Sequence, residues 1–395
     1  MSKFTKVKLK DCATFINGMA FKPIDWDVKG LPIVRIQNLT GTNKNFNYYS
    51  KEYNPKFEIN NGDLLISWSA SLGVFVWNDG KAILNQHIFK VVFDKIEINK
   101  KYFYFCILDV LEEMSEKTHG SAMRHITKGD FDNIEIPLPP LKEQKRIVGI
   151  LDESFAKIDE SIKILEQNLL NLDELMQSAL QKAFNPLKDN SKENYQLPQG
   201  WEWKSLGEIC EINPRNKVDD EINISFISMD KILDGYNNEF SYAIKKWKDV
   251  KKGFTHFKQG DIGLAKITPC FENKKSVIFN NLENGIGAGT TELHIIRVGN
   301  YIISKFLLWF FKTEKFIKNG ILNMTGATGH KRVPKDFIKN LQIPLPPLQE
   351  QEQIAKHLDF VFEKAKALKE LYTKELKDYE ELKQSLLDKA FKGEL

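Results

Sequence analysis

The spacing of apolar positions divides this chain into stretches with different rhythms. Over residues 1–135, short runs rich in β-branched and aromatic side chains alternate with turn chemistry. The runs 31–39 (LPIVRIQNL), 64–68 (LLISW), 73–77 (GVFVW) and 87–93 (HIFKVVF) predict strands. Gly62-Asp63 and Asn78-Asp79-Gly80 punctuate them as turns. Residues 102–114 (YFYFCILDVLEEM) have helical spacing, so 1–135 predicts a compact α+β domain. From Ile147 onward the apolar positions step by three and four: Leu151, Phe155, Ile158, Ile162, Leu165, Leu169, Leu172, Met176, Ala179 and Ala183. A seam of that kind predicts a coiled-coil helix, roughly 65 Å long at 1.5 Å per residue.

The same plan then returns. A polar linker at 185–196 leads into 197–342, where Gly260-Asp261 matches Gly62-Asp63 and 291–298 (TELHIIRV) resembles 85–91 (NQHIFKV). A second seam follows at Ile354, Leu358, Phe362, Ala365, Tyr372, Leu376, Tyr379, Leu386 and Ala390, broken by Lys369 and Lys383. Both long segments open with the same words. Ile136-Pro137-Leu138-Pro139-Pro140-Leu141 reappears as Ile343-Pro344-Leu345-Pro346-Pro347-Leu348, and 136–184 aligns with 343–391 without a gap, 22 of 49 positions being identical. The chain is therefore an internal tandem duplication. The proline run predicts an extended polyproline strut, with Pro140 as the first residue of the helix and Glu143 in its first turn. Two amphipathic rods in one chain predict an antiparallel intramolecular pair. The expected organisation is a first globular domain (1–135), a strut and helix (136–184), a linker (185–196), a second globular domain (197–342), and a second strut and helix (343–395).

Composition changes this picture little. Of 395 residues, 42% are hydrophobic and 28% charged, an ordinary globular balance, and a net charge of +4 permits a nucleic-acid partner without requiring one. Cys12, Cys106, Cys210 and Cys270 form no CxxC pair, so neither a zinc knuckle nor a disulfide framework is predicted. The N-terminus has no apolar signal core, and the run 306–311 (FLLWFF) is far short of the ~20 residues that span a bilayer. A cytoplasmic protein without membrane contact is expected.

Catalytic motifs are sparse. No GxxxxGK[ST] loop, GxSxG or HExxH is present, and 285–289 (GIGAG) lacks the strand–turn–helix context of a dinucleotide fingerprint. Nor is there an Asn/Asp-Pro-Pro-aromatic tetrapeptide of the kind methyltransferases use. No cofactor and no metal site are expected. One alternative stands: Asp261 with Glu272-Asn273-Lys274 matches the Asp…Glu-x-Lys arrangement in which two carboxylates hold Mg²⁺ and a lysine stabilises charge, giving a stand-alone nuclease. Against it, an aspartate after glycine is ordinary turn chemistry. A second alternative is a coiled-coil scaffold that never touches DNA.

The repeated IPLPPLxEQ, the long helix closing on 175–184 (LMQSALQKAF) or 382–391 (LKQSLLDKAF), and a second half opening with 197–209 (LPQGWEWKSLGEI) resemble the specificity subunit of type I restriction–modification systems. The resemblance covers the whole chain. It implies two target-recognition domains alternating with two helical spacers, related by a pseudo-two-fold repeat. It implies a subunit that is not catalytic by itself and works with two modification (adenine methyltransferase) subunits and with restriction (endonuclease) subunits. Each domain would read one half of a bipartite, asymmetric double-stranded DNA target, with the helices setting the gap. Pro139, Pro140 and Gln144, with Pro346, Pro347 and Gln351, would face the modification subunits.

Polar and basic loop residues are the expected DNA contacts. In the first half these are Arg35, Gln37, Asn38 and Lys44, with Ser121, Arg124, His125 and Lys128. In the second they are Lys266, Thr268, Lys274, Lys275, Thr328, His330, Lys331 and Arg332.

Overall fold

The computed structural model describes residues 3–69, 71–116, 128–188, 196–327 and 329–395. The chain forms two compact units: Met1–Leu165 together with Lys374–Leu395, and Glu166–Thr373.

Unit 1 holds two four-stranded sheets and a two-stranded ribbon. In one sheet Thr14–Asn17, Ile88–Val92, Leu64–Ser67 and Gly73–Val76 pair antiparallel in that order. In the other, the order is Asn47–Tyr49, Leu31–Val34, Ala82–Leu84 and Glu58–Ile59, with a parallel pair at its centre. All four residues of Leu64–Ser67 are buried, as a central strand covered on both faces requires. The helix Lys100–Glu116 packs Tyr102, Phe103, Phe105 and Cys106 into the same core as Leu9, Phe15 and Phe131.

Unit 2 repeats this topology strand for strand. Cys210–Ile212, Leu293–Val298, Ile262–Ala265 and Ser276–Ile278 form the antiparallel sheet. Ala243–Lys246, Asn223–Ile227, Ile286–Gly289 and Thr255–Lys258 form the other, again with a central parallel pair. The duplication seen in the helices extends to globular parts whose sequences have diverged.

Two expectations change. The stretch 31–39 is a strand only over Leu31–Val34. It then turns into the short helix Ile36–Leu39, because the Asn38 side chain accepts from the Arg35 amide at 3.0 Å and starts a helical turn. The proline run is also not a free polyproline strut. Glu135–Pro137 pairs antiparallel with Lys6–Lys8, and Gln342–Leu345 with Glu202–Ser205. A two-stranded ribbon consists of edges only, so a proline that lacks an N–H is accommodated there. Pro140 sits one residue before the helix, and its carbonyl accepts from the Glu143 and Gln144 amides.

The long helices run over Leu141–Phe184 and Leu348–Lys392 without a break. Within unit 1 their segments run antiparallel: Arg146 donates to the Leu395 carbonyl at 2.9 Å, and Asp159 pairs with Lys383. Ile147, Leu151, Leu387, Ala390 and Phe391 are buried there together. Within unit 2, Leu172, Met176, Leu180 and Phe184 share a core with Leu358, Phe362 and Ala365, and Lys369 meets Asp173 at 3.1 Å. Among the described residues no helix is long and apolar enough to cross a membrane.

Candidate nucleic-acid interface

In unit 2, two loops come together at one end of the antiparallel sheet. Residues 266–275 connect Ile262–Ala265 to Ser276–Ile278, and 323–334 follow the helix Glu314–Leu322. The Thr268 amide donates to the Lys331 carbonyl at 3.1 Å and the Val333 amide to the Lys266 carbonyl at 2.8 Å. Arg332 locks the pair: its guanidinium holds the Glu292 carboxylate through two bonds of 2.8 and 2.9 Å, and that ion pair keeps Glu292 below the usual carboxylate range. Beneath them His294 is buried, and burial lowers its pKa. As a neutral imidazole its Nε2–H donates to the Val333 carbonyl at 2.8 Å, while Nδ1 accepts from Asn213 at 3.4 Å.

Lys266, Thr268, His330, Lys331 and Arg332, far apart in sequence, thus form one surface. His330 and Lys331 are exposed on it, whereas the Arg332 guanidinium is engaged within the chain. Thr268 precedes a cis peptide bond to Pro269. Lys274 and Lys275 lie further from the tip. The Lys274 ammonium meets Glu314 at 2.5 Å and the Tyr236 hydroxyl at 2.8 Å, and Lys275 donates to the Met229 carbonyl at 3.2 Å. Both are tied back into the fold. Thr328 lies outside the described residues.

In unit 1 the candidates gather around the short helix Ile36–Leu39. Gln37 and Lys44 are exposed. Asn38 is committed to its own loop, donating to the Asn43 and Asn45 carbonyls at 3.0 Å each while its oxygen caps the helix. Arg35 donates to the Asn45 carbonyl at 3.3 Å, its guanidinium 5.8 Å from the exposed Trp26 ring. Lys128 is exposed at the start of Lys128–Asp132 and pairs with Asp132 at 3.0 Å, while Ser121, Arg124 and His125 lie outside the described residues. The strand register also points to two residues that the loop reading missed. Trp68 and His87 stand where unit 2 has Lys266 and Glu292, their rings 4.9 Å apart and at 65° to each other. Aligning the strands rather than the loops of the two halves is the signal that finds them.

The nuclease arrangement does not assemble. Asp261 is buried, holds Arg297 through two bonds of 2.8 and 2.9 Å, and accepts from the Lys258 amide at 2.8 Å. Its oxygens are saturated, Glu272 is exposed and Lys274 is paired elsewhere. Among the described residues no group of three or more His, Cys, Asp or Glu side chains is placed to hold a metal ion. Burial also raises the Cys12 and Cys210 thiols, to about 11 and about 12, so neither acts as a thiolate.

The prolines and glutamines of the repeated motif serve the fold. Gln144 is buried: its oxygen accepts from the Asn99 amide and its nitrogen donates to the Pro139 carbonyl, both at 2.8 Å. Gln351 does the same with the Ile303 amide at 3.0 Å and the Pro346 carbonyl at 2.8 Å. Each fastens the start of a long helix to its own globular part. Pro139 and Pro346 are buried beside them, while Pro140 and Pro347 are exposed. A cavity of about 1070 Å³ in unit 2, walled by Leu180, Phe184, Trp203, Phe310, Phe316 and Phe337, touches none of the expected DNA contacts.

Comparison with known proteins agrees with this two-fold plan. The family model described as type I restriction modification DNA specificity domain matches twice, over residues 1–170 and 198–377. The specificity subunit of the type I restriction enzyme EcoAI from Escherichia coli is 48% identical over 255 residues, 62% of this chain and 43% of that protein. That of EcoEI, also from Escherichia coli, is 40% identical over 57% of this chain and 40% of that protein. The chain thus matches about two-fifths of the length of these two relatives. The EcoBI specificity subunit is 24% identical over 99% of this chain and 86% of its own. Among solved structures, a chain from work on the complex assembly and conformational transition of the type I R-M system superposes with a TM-score of 0.74 at 19% identity, covering 99% of this chain and 98% of that one. The HsdS subunit from Thermoanaerobacter tengcongensis gives a TM-score of 0.57 at 19% identity, covering 99% and 97%. These two share the fold. With the family model matched in both halves, this chain belongs to the type I restriction modification DNA specificity domain family.

Proposed function

We propose that this chain is the DNA-reading subunit of a type I restriction–modification complex, each unit reading one half of a split, asymmetric double-stranded target. The observation that carries the reading is one strand topology built twice with different chemistry at matching loop positions: Trp68 and His87 in unit 1, Lys266 and Glu292 in unit 2. Identical readers would select a palindrome, whereas different readers on one frame select two unlike half-sites. The globular parts correspond to 1–135 and 197–342, with 136–184 and 343–395 as strut and spacer. The exposed Gln37, Lys44, Lys128, His330 and Lys331 are the side chains best placed to meet base edges and phosphates, and Arg35, Lys266 and Thr268 support them.

The chain itself carries no catalysis in this reading. Modification subunits dock on the exposed Pro140 and Pro347 and the outer faces of the long helices, and supply methyl transfer to adenine. Restriction subunits join that assembly. Both helices contribute to both units, which supports their role in setting the gap.

The test is co-expression with the modification partner and mapping of methylated adenines in host DNA. A bipartite motif with an unspecified gap supports the proposal. A continuous motif, or no modification above the background of the partner alone, refutes it. Purified chain that cuts DNA with Mg²⁺ alone would return the nuclease to consideration.

A further inference from the structure

Lys312 is fully buried, and no carboxylate pairs with it among its described partners. It caps the C-terminus of the helix Ser304–Phe311 and carries its ammonium into a cage of main-chain oxygens. The carbonyls of Gly235 and Asn237 lie at 2.8 Å, that of Ser276 at 3.0 Å and that of Lys274 at 3.1 Å. An ammonium has three N–H donors, so four acceptors at these distances form a site for the charge rather than for a neutral amine. Burial, and secondarily the nearby Lys274, pushes the group down to about 7, with Asp234 acting the other way. The converging carbonyl dipoles oppose the loss of its proton.

The cage joins two segments that also meet through the Asn238–Ile278 and Tyr236–Lys274 bonds. Gly235 and Asn237 belong to the turn between Ile232 and Phe240, which bridge each other. Lys274 and Ser276 end the loop that starts at Lys266. Contacts continue from the cage towards the loop tip. The Gly235 amide donates to the Asn273 carbonyl at 2.8 Å, the Asn273 amide to the Pro269 carbonyl at 2.9 Å, and the Thr268 amide to the Lys331 carbonyl. Lys274, at a positive φ of 58°, turns its side chain back over the Tyr236 ring, 4.3 Å from its centroid. Lys312 is thus linked, through this series of bonds, to the exposed surface formed by the two loops.

Unit 1 supplies the comparison. The Gln144–Asn99 and Gln351–Ile303 bonds fix the register of the two helices, and counting nine residues on from Asn99 and Ile303 places Leu108 opposite Lys312. Leu108 is a partly buried apolar side chain. The loop that it would support spans only 68–72, against 266–275 in unit 2. The ammonium occurs where the loop is long and needs an anchor.

We infer that Lys312 is a positioning residue for DNA reading by unit 2, its caged ammonium setting the path of the 266–275 loop and hence base discrimination in one half of the target. This rests on the assignment of those loops to DNA in the preceding section. The experiment uses the full chain assembled with its modification partner. Methylation rates are compared between duplexes carrying the mapped target and duplexes with one base replaced in either half, the unit 2 half being the one that changes when 197–342 is exchanged.

Lys312→Met lowers discrimination in the unit 2 half by about tenfold, the scale of one lost base contact, and leaves the other half unchanged. Tyr236→Phe, which removes the bond to Lys274 but keeps the ring against Phe362, lowers it about threefold in the same half. Unchanged discrimination in both halves, or an equal fall in both, overturns the inference, since a merely structural loss has no reason to select one half. If Lys312→Met fails to assemble, the Tyr236→Phe result decides alone. Lys331→Ala is the separate control. If it leaves DNA affinity intact, the loop assignment itself fails; if it weakens binding while Lys312→Met leaves discrimination intact, only the positioning role fails.

Discussion

Units 1 and 2 share a frame and differ in how the frame is stabilised. An aspartate after a glycine turn closes the same corner in both, and the Gly62 and Gly260 amides bond to Trp77 and Phe279 at 2.6 and 2.8 Å. Asp63, however, is partly exposed and meets Lys90 at 3.0 Å, whereas Asp261 is buried and grips Arg297, which stands two positions further along its strand than the counterpart of Lys90. Beneath the sheet, Leu65 and Trp77 in unit 1 become Gly263 and Phe279 in unit 2. There a Cβ on Gly263 would lie 2.5 Å from the Phe279 ring, which stacks on Phe257 with 3.9 Å between centroids. The bulk missing at both positions is supplied by Phe257, which stands where unit 1 has Ile59, so strand positions survive while side chains change. A duplicated frame can therefore diverge in its loops without losing the strand ends that carry them.

The largest asymmetry predicted concerns these aspartates. Asp261→Ala leaves a largely buried guanidinium with only Asn216 and the more distant Glu211, and costs about 3–5 kcal/mol in a urea titration of the chain. Asp63→Ala, where the carboxylate is itself 26% exposed and Lys90 keeps its bond to the Glu58 carbonyl, costs only about 1 kcal/mol. Equal losses would mean that the two corners are not stabilised differently.

The glutamine clamps sharpen the comparison from the other side, because they are alike. Gln144→Ala and Gln351→Ala each leave a backbone N–H and a carbonyl unbonded beside the helix start, and each lowers stability by about 2–3 kcal/mol, as measured by the same titration.

DNA binding separates exposed from engaged lysines and treats the two units alike. Lys331→Ala or Lys44→Ala removes one exposed cation and reduces the slope of log affinity against log salt by about 0.9, as measured by fluorescence anisotropy across a salt series. Lys275→Ala, whose ammonium is tied to Met229, leaves that slope unchanged.

The smallest effect is one of pH. His294 is held neutral by burial, its pKa below the ordinary 6.5. Its contribution is complete above 6.5 and declines as pH falls through the lowered value, because the unfolded chain takes up the proton first. Unit 1 has Phe89 at this position. Hydrogen exchange, corrected for intrinsic rates, should therefore show protection falling in Leu293–Val298 but not in Ile88–Val92 between about pH 7.5 and 5.5.

The long helices and the central strands were legible in the sequence because their signals are local: heptad spacing for 141–184 and β-branched runs at 64–68, 73–77 and 87–93. The parallel pairs Leu31–Val34 with Ala82–Leu84 and Asn223–Ile227 with Ile286–Gly289 were not, since pairing across some fifty residues leaves no periodic trace. Buried polar residues were the hardest to interpret. Gln144, Gln351, Asp261 and Lys312 look like surface chemistry in a one-dimensional reading. Only the partners brought by the fold show that each is saturated inside the chain. The expected contacts gathered into one surface in unit 2 because Lys266, Thr268 and the 330–332 run flank paired strands. Lys274 and Lys275 turned inward because a positive φ at Lys274 redirects the segment.

The most direct test of two different readers on one frame is the exchange of residues 1–135 for those of a relative with another target, followed by mapping of methylated adenines. One half of the motif changes while the other half and the gap stay as they were. A change in both halves, or a new gap, would contradict the account.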